Sequence, residues 1–117
     1  MESKQILKIN EENKNGDCYV VAYREQGPKD ILVHGLVTPV IGPLENLTYN
    51  HAWIERGNKV IDRTISNPDM QEMDKNIYYA LGRIQITYKY KLQEVLENSD
   101  KFQTYGPWQK QLLNNPY

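Results

Sequence analysis

The sequence predicts an α+β domain in which an N-terminal helix carrying the single cysteine packs on a small antiparallel sheet. Three observations predict it. A helix-compatible run follows Asn15-Gly16-Asp17 and precedes the β-branched, apolar stretch from Ile31 to Thr38. The dipeptide Gly57-Asn58 joins two strand-like runs, as in a tight hairpin. The order helix, strands, helix, strand, helix, without an internal repeat, suits an antiparallel sheet with helices against it.

Each element has a local reason. Residues 1–15 are polar with a short apolar beat at Ile6, Leu7 and Ile9, and read as a lead-in segment or a short strand. Asp17 is a good N-cap, and the helix it starts runs from Cys18 to Gln26, where Gly27-Pro28 stops it. Ile31 to Thr38 reads as a strand buried on both faces, and Pro39, Gly42 and Pro43 mark the loop 39–46. Thr48 to Arg56 and Lys59 to Thr64 are the hairpin strands. After the break at Ser66-Asn67-Pro68-Asp69, Asp74 starts a helix through Ile77, Tyr78, Ala80 and Leu81 to Gly82. Ile84, Ile86, Tyr88 and Tyr90 alternate with polar residues in a half-buried strand, and Leu92, Val95 and Leu96 give one face of a short helix. The tail 109–117 reads as frayed or irregular.

Composition narrows the function. The 117 residues fit one domain, 1–117, and leave no room for a separate cofactor domain. Lysine and arginine number 14 against 15 aspartates and glutamates, a net charge of -1, so no long-range field favours nucleic acid or anionic lipid. Nucleotide fingerprints and phosphate loops are missing from the sequence. No apolar run is long enough for a membrane span or a signal peptide, which reads as a cytoplasmic protein. Nine tyrosines and two tryptophans against one phenylalanine place most aromatic area on rings with a polar tip, suited to half-buried surfaces. One cysteine forms no internal disulfide and has no spaced partners for structural zinc, which fits a reducing compartment. Neither a metal nor an organic cofactor is expected: cysteine, histidine and aspartate are all zinc ligands, but no compact ligand pair occurs at metal spacing.

The hairpin then connects that cysteine to a base. With Gly57-Asn58 as a two-residue turn, Arg56 pairs with Lys59, Ile54 with Ile61 and Trp53 with Asp62. His51, Trp53 and Glu55 share one face with Val60, Asp62 and Thr64, while Ala52 and Ile54 share the other with Ile61 and Arg63. His51 and Asp62 become diagonal neighbours, and a slip of one residue would separate them. Cys18, His51 and Asp62 are therefore the candidate catalytic residues: Cys18 attacks, His51 takes its proton and Asp62 orients His51. A helix-start position would set unpaired backbone N–H groups beside the sulfur and beside a developing oxyanion. The Cys18 amide and the side chain of Asn15, or of Asn13, are the oxyanion-hole candidates. His34 is the rival base; with no carboxylate placed to orient it, it reads as a structural histidine lining the site. Trp53 and Trp108 read as packing residues, Trp53 also as a wall of the substrate cleft.

Gly16-Asp17-Cys18-Tyr19, Val33-His34-Gly35, Asn50-His51-Ala52-Trp53-Ile54-Glu55 and Val60-Ile61-Asp62-Arg63-Thr64 follow one another in an order that resembles the papain-like and transglutaminase-like cysteine hydrolase superfamily. There a helix-start cysteine, a strand histidine and a next-strand aspartate or asparagine occur in that sequence. With Tyr79-Ala80-Leu81-Gly82-Arg83-Ile84 and Tyr105-Gly106-Pro107-Trp108, residues 16–108 look like small phage and prophage proteins of that superfamily. The resemblance implies a papain-like core, a protein or peptide substrate and, for a phage product, the host cytoplasm. It implies attack on an amide or isopeptide bond through a Cys18 thioester, by a hydrolase or acyltransferase. The alternatives are a non-catalytic module on the same scaffold that binds a host or viral protein, and a transglutaminase or deamidase.

Overall fold

The computed structural model describes residues 13–117, with side chains from Cys18 onward. The lead-in segment or short strand expected at Ile6 to Ile9 lies outside the described residues. The described chain is an α+β domain built on a five-stranded antiparallel sheet of order β4-β3-β2-β1-β5. Its strands are β1 Ile31–Val37, β2 Tyr49–Arg56, β3 Lys59–Ile61, β4 Glu72–Asp74 and β5 Ile86–Tyr90. The helices are α1 Asn13–Glu25, α2 Lys75–Leu81, α3 Leu92–Phe102 and α4 Lys110–Leu113, with a 3-10 turn at Pro68–Met70.

The hairpin has the expected register, with Ile54 opposite Ile61, Glu55 opposite Val60 and Arg56 opposite Lys59. Its turn differs in one respect. Gly57 has φ +62° and Asn58 is not among the positive-φ residues, so one positive φ at the first central position, as in a II′ turn, closes the strands. β1 lies between β2 and β5, antiparallel to both, which explains its apolar character on both faces.

Two cores follow from the alternation of side chains. On one face Cys18, Tyr19 and Ala22 of α1 pack with Leu32, Ala52, Ile54, Ile61 and Tyr90, closed by Val95 of α3 and by Trp108. On the other, Val33, Val37, Trp53 and Val60 pack with Tyr78 of α2, flanked by Met73, Tyr79 and Ile84. α2 is bounded as its sequence signals require: the Asp74 side chain accepts from the Asn76 and Ile77 amides, and Gly82 closes the helix. The α1–β1 connection is pinned by Asp30, which accepts 2.7 Å bonds from the Gly27 amide and from Arg56 Nη2.

Several elements depart from expectation. α1 includes Asn13, so Asp17 lies inside the helix rather than capping it. An N-cap contributes about 1 kcal/mol and an internal glycine costs about as much, while extension adds a hydrogen bond for each residue without fresh nucleation. Such local preferences leave a boundary free to move by a turn. β3 stops at Ile61 rather than Thr64 because the chain turns under Asp62, and the three-residue β4 supplies an edge that no alternation announces. α3 runs on to Phe102 before Gln103 ends it in the left-handed region at φ 55°. The tail is docked: Leu112 is fully buried, and its carbonyl accepts from Asn50 Nδ2 at 2.9 Å. No helix among the described residues is long and apolar enough to cross a membrane.

Candidate active site

The site forms where β2 outruns β3. His51 sits near the start of β2, opposite Gly35 of β1, and Asp62 is the first residue after β3. Its amide donates to the Gln71 carbonyl at 2.8 Å, which anchors the backbone just where the ladder ends. His51 Nε2 and Asp62 Oδ2 are 2.8 Å apart, so the carboxylate orients the ring. The Cys18 side chain of α1 hydrogen-bonds the same histidine. The three expected residues are thus in contact, in the order Cys18, His51, Asp62.

Asp62 is held from both sides. Its Oδ1 accepts from the Thr64 amide at 3.1 Å and the Thr64 hydroxyl at 2.5 Å, and its Oδ2 accepts from the Tyr78 hydroxyl at 2.6 Å as well as from His51. Burial alone would push this carboxyl up. The charge of His51 and the bonds from His51, Thr64 and Tyr78 outweigh burial and hold it down at about 2. His51 shifts the other way. Burial works against its proton, but the Asp62 charge and hydrogen bond, with a further contribution from Cys18, raise it well above the ordinary histidine value. A histidine held against an ionised carboxylate and in contact with the Cys18 side chain is placed to exchange a proton with the thiol.

The oxyanion candidates need correction. Cys18 is the sixth residue of α1, in its second turn, so its amide falls within the i to i−4 ladder rather than among the unpaired amides of the first turn. The Asn13 and Asn15 side chains lie outside the described residues. Among the described residues, a polar ring that does border the pair is Tyr49, its centroid 5.7 Å from that of His51.

His34 and Trp53 do not wall a cleft, since both have 0% exposure. Trp53 alternates onto the α2 face and packs on Tyr78 at 5.4 Å. His34 alternates onto the opposite face from His51 and is enclosed by Tyr19, Tyr90 and Trp108, with ring centroids at 4.6, 5.2 and 4.7 Å. Neither of its nitrogens has a hydrogen-bond partner among the described residues, so it is not the base for Cys18. Burial pushes it down to about 3, which keeps it neutral.

Thr64 and Tyr78 were not anticipated as part of the site. Asp62-Arg63-Thr64 did carry a local signal, because an aspartate often accepts from the amide two residues on. Tyr78 carried none that set it apart from the other tyrosines. Among the described residues, no cluster of three or more histidine, cysteine, aspartate or glutamate side chains is arranged to hold a metal ion. Comparison of the chain with protein-family models, curated proteins and solved structures gave no match.

Proposed function

We propose that this protein is a small cysteine hydrolase or acyltransferase of the papain-like and transglutaminase-like kind, acting on an amide or isopeptide bond of a protein or peptide. The observation that carries the reading is the continuous hydrogen-bonded relay from Cys18 through His51 to Asp62, closed by the 2.8 Å contact. The antiparallel sheet with the cysteine on its N-terminal helix supports the same reading. In the proposed reaction the Cys18 thiol proton moves to His51 Nδ1 and the sulfur adds to the substrate carbonyl carbon. The carbonyl π electrons move to oxygen, and their return expels the amine, which takes the proton from His51. A thioester on Cys18 remains. Water then completes a hydrolysis, an amine completes a transfer, and loss of ammonia from a glutamine followed by water is a deamidation. Asp62 stays ionised throughout and keeps the ring in place.

One observation favours the second reading, a non-catalytic protein-binding module. Cys18 is 4% exposed and His51 9%, so a substrate carbonyl must displace covering groups to reach the sulfur, whereas a binding module needs no such access.

Iodoacetamide separates the two. For the enzyme, Cys18 is alkylated near pH 6 faster than a simple thiol, and His51→Ala slows the reaction while the protein stays folded. Alkylation no faster than that of a simple thiol, in either protein, supports the binding module. Mass spectrometry of candidate proteins incubated with the chain then distinguishes cleavage, amine incorporation and deamidation.

A further inference from the structure

The second donor on Asp62 Oδ2 has a consequence for the triad. That oxygen accepts from two groups, His51 Nε2 at 2.8 Å and the Tyr78 hydroxyl at 2.6 Å, and the tyrosine comes from α2, an element that otherwise takes no part in the site. Asp62 is 4% exposed and its other oxygen is occupied twice by Thr64, so water does not compete for the carboxylate. A carboxylate with one oxygen divided between two donors offers each of them less charge than it would offer alone.

We propose that Tyr78 is a positioning residue of this triad: by sharing Asp62 Oδ2 with the His51 ring, its hydroxyl fixes the carboxylate's direction and limits how much negative charge His51 receives. The inference rests on the enzymatic reading for its effect on Cys18, but not for its effect on His51. Tyr78 is suited to the role because its own ring is fixed. It packs on Trp53 at 5.4 Å and on Tyr79 at 6.5 Å, and burial, then the Asp62 charge and bond, hold its phenol protonated far above the ordinary tyrosine value. It therefore donates and never competes as a base. Among the described residues, the other titratable groups that act on the His51–Asp62 pair are Cys18 of α1 and Tyr49 of β2.

Tyr78→Phe removes the hydroxyl and leaves the ring. With Oδ2 given to His51 alone, the histidine gains carboxylate charge and holds its proton more tightly. In the NMR titration of the His51 ring, the expected midpoint moves up by about half a pH unit or more. In the alkylation of Cys18, the upper end of the pH range over which the reaction depends on protonated His51 moves up by a similar amount, because the more basic ring keeps its proton to higher pH. A tyrosine that only fills space predicts a lower melting temperature with both profiles in place, and that result overturns the proposal. So does a downward move of the His51 midpoint. If Tyr78→Phe does not fold, Thr64→Val, which removes the hydroxyl on Oδ1, is read instead and is expected to move the His51 midpoint up as well; an unmoved midpoint again counts against charge sharing. Failure of the enzymatic reading looks different: wild-type Cys18 reacts no faster than a simple thiol, yet Tyr78→Phe still moves the His51 midpoint.

Discussion

Replacing His34 by leucine tests how the interior treats its second histidine. His34 is fully buried with both ring nitrogens unpartnered, and burial holds it at about 3. In the unfolded chain the same ring takes a proton near 6.5. Because its folded value is depressed, the stability linked to it is complete above about pH 6.5 and is lost as pH falls toward 3. Between pH 7.5 and pH 5 that loss amounts to about 2 kcal/mol. His51 acts in the opposite sense. Its folded value is raised, so its contribution is complete below about 6.5 and is lost as pH rises, and the two histidines partly cancel in the wild-type protein. Asp62, Asp30 and Glu55, all lowered in the folded state, release their contributions only below about pH 4.5, outside this interval. The quantity to measure is therefore the difference in pH dependence between wild type and His34→Leu, by urea unfolding at pH 7.5 and 5. With a slope of about 1 to 2 kcal/mol per molar urea, acidification is expected to lower the wild-type midpoint by about 1 to 2 M more than that of the variant. The absolute stability of His34→Leu at pH 7.5 does not enter. Equal changes in midpoint for the two proteins would refute the reasoning, since they would mean that His34 keeps its ordinary proton affinity inside the fold.

Two packing predictions accompany it. A Cβ on Gly35 would lie 2.6 Å from the Ile86 carbonyl oxygen and 3.0 Å from the Trp53 ring, and the carbonyl belongs to the neighbouring strand. Gly35→Ala is thus expected to cost about 2 to 3 kcal/mol in urea unfolding and to disturb His51, which faces Gly35 across the ladder; a variant as stable as wild type contradicts the close approach. Leu112 is fully buried in the last helix, so Leu112→Ala is expected to cost about 2 to 4 kcal/mol, whereas a change under 0.5 kcal/mol would restore the frayed tail.

The parts of this fold legible in the sequence are those set by short-range chemistry. Gly57-Asn58 and the alternation around it determine the hairpin register, and the register determines that His51 and Asp62 share a face. Asp74 and Gly82 bound α2 by capping alone. The missed features rest on weak local preferences, on segments too short to show a pattern, or on contacts between distant residues. The start of α1 moved because a cap is a small preference, and with it the Cys18 amide left the first turn. β4 is too short to show a period. Tyr78 reaches Asp62 from 16 positions away, and only the docking of α2 on the sheet selects it from among nine tyrosines. Trp53 reads first as a packing residue and His34 as a structural histidine, and both are buried; the cleft role that each also carries fails because the sheet is covered on both faces, so both rings lie inside.

The central claim is that Cys18 accepts an acyl group with the help of His51 and Asp62. Its most direct measurement is the intact mass of the protein after incubation with an activated acyl ester, followed by mapping of the adduct. The expected result is one acyl group on Cys18 in the wild-type chain, absent in Cys18→Ala and slowed at least about tenfold in folded His51→Ala and Asp62→Asn. Acylation at equal rates in wild type and His51→Ala, or no adduct on Cys18 at all, would contradict it.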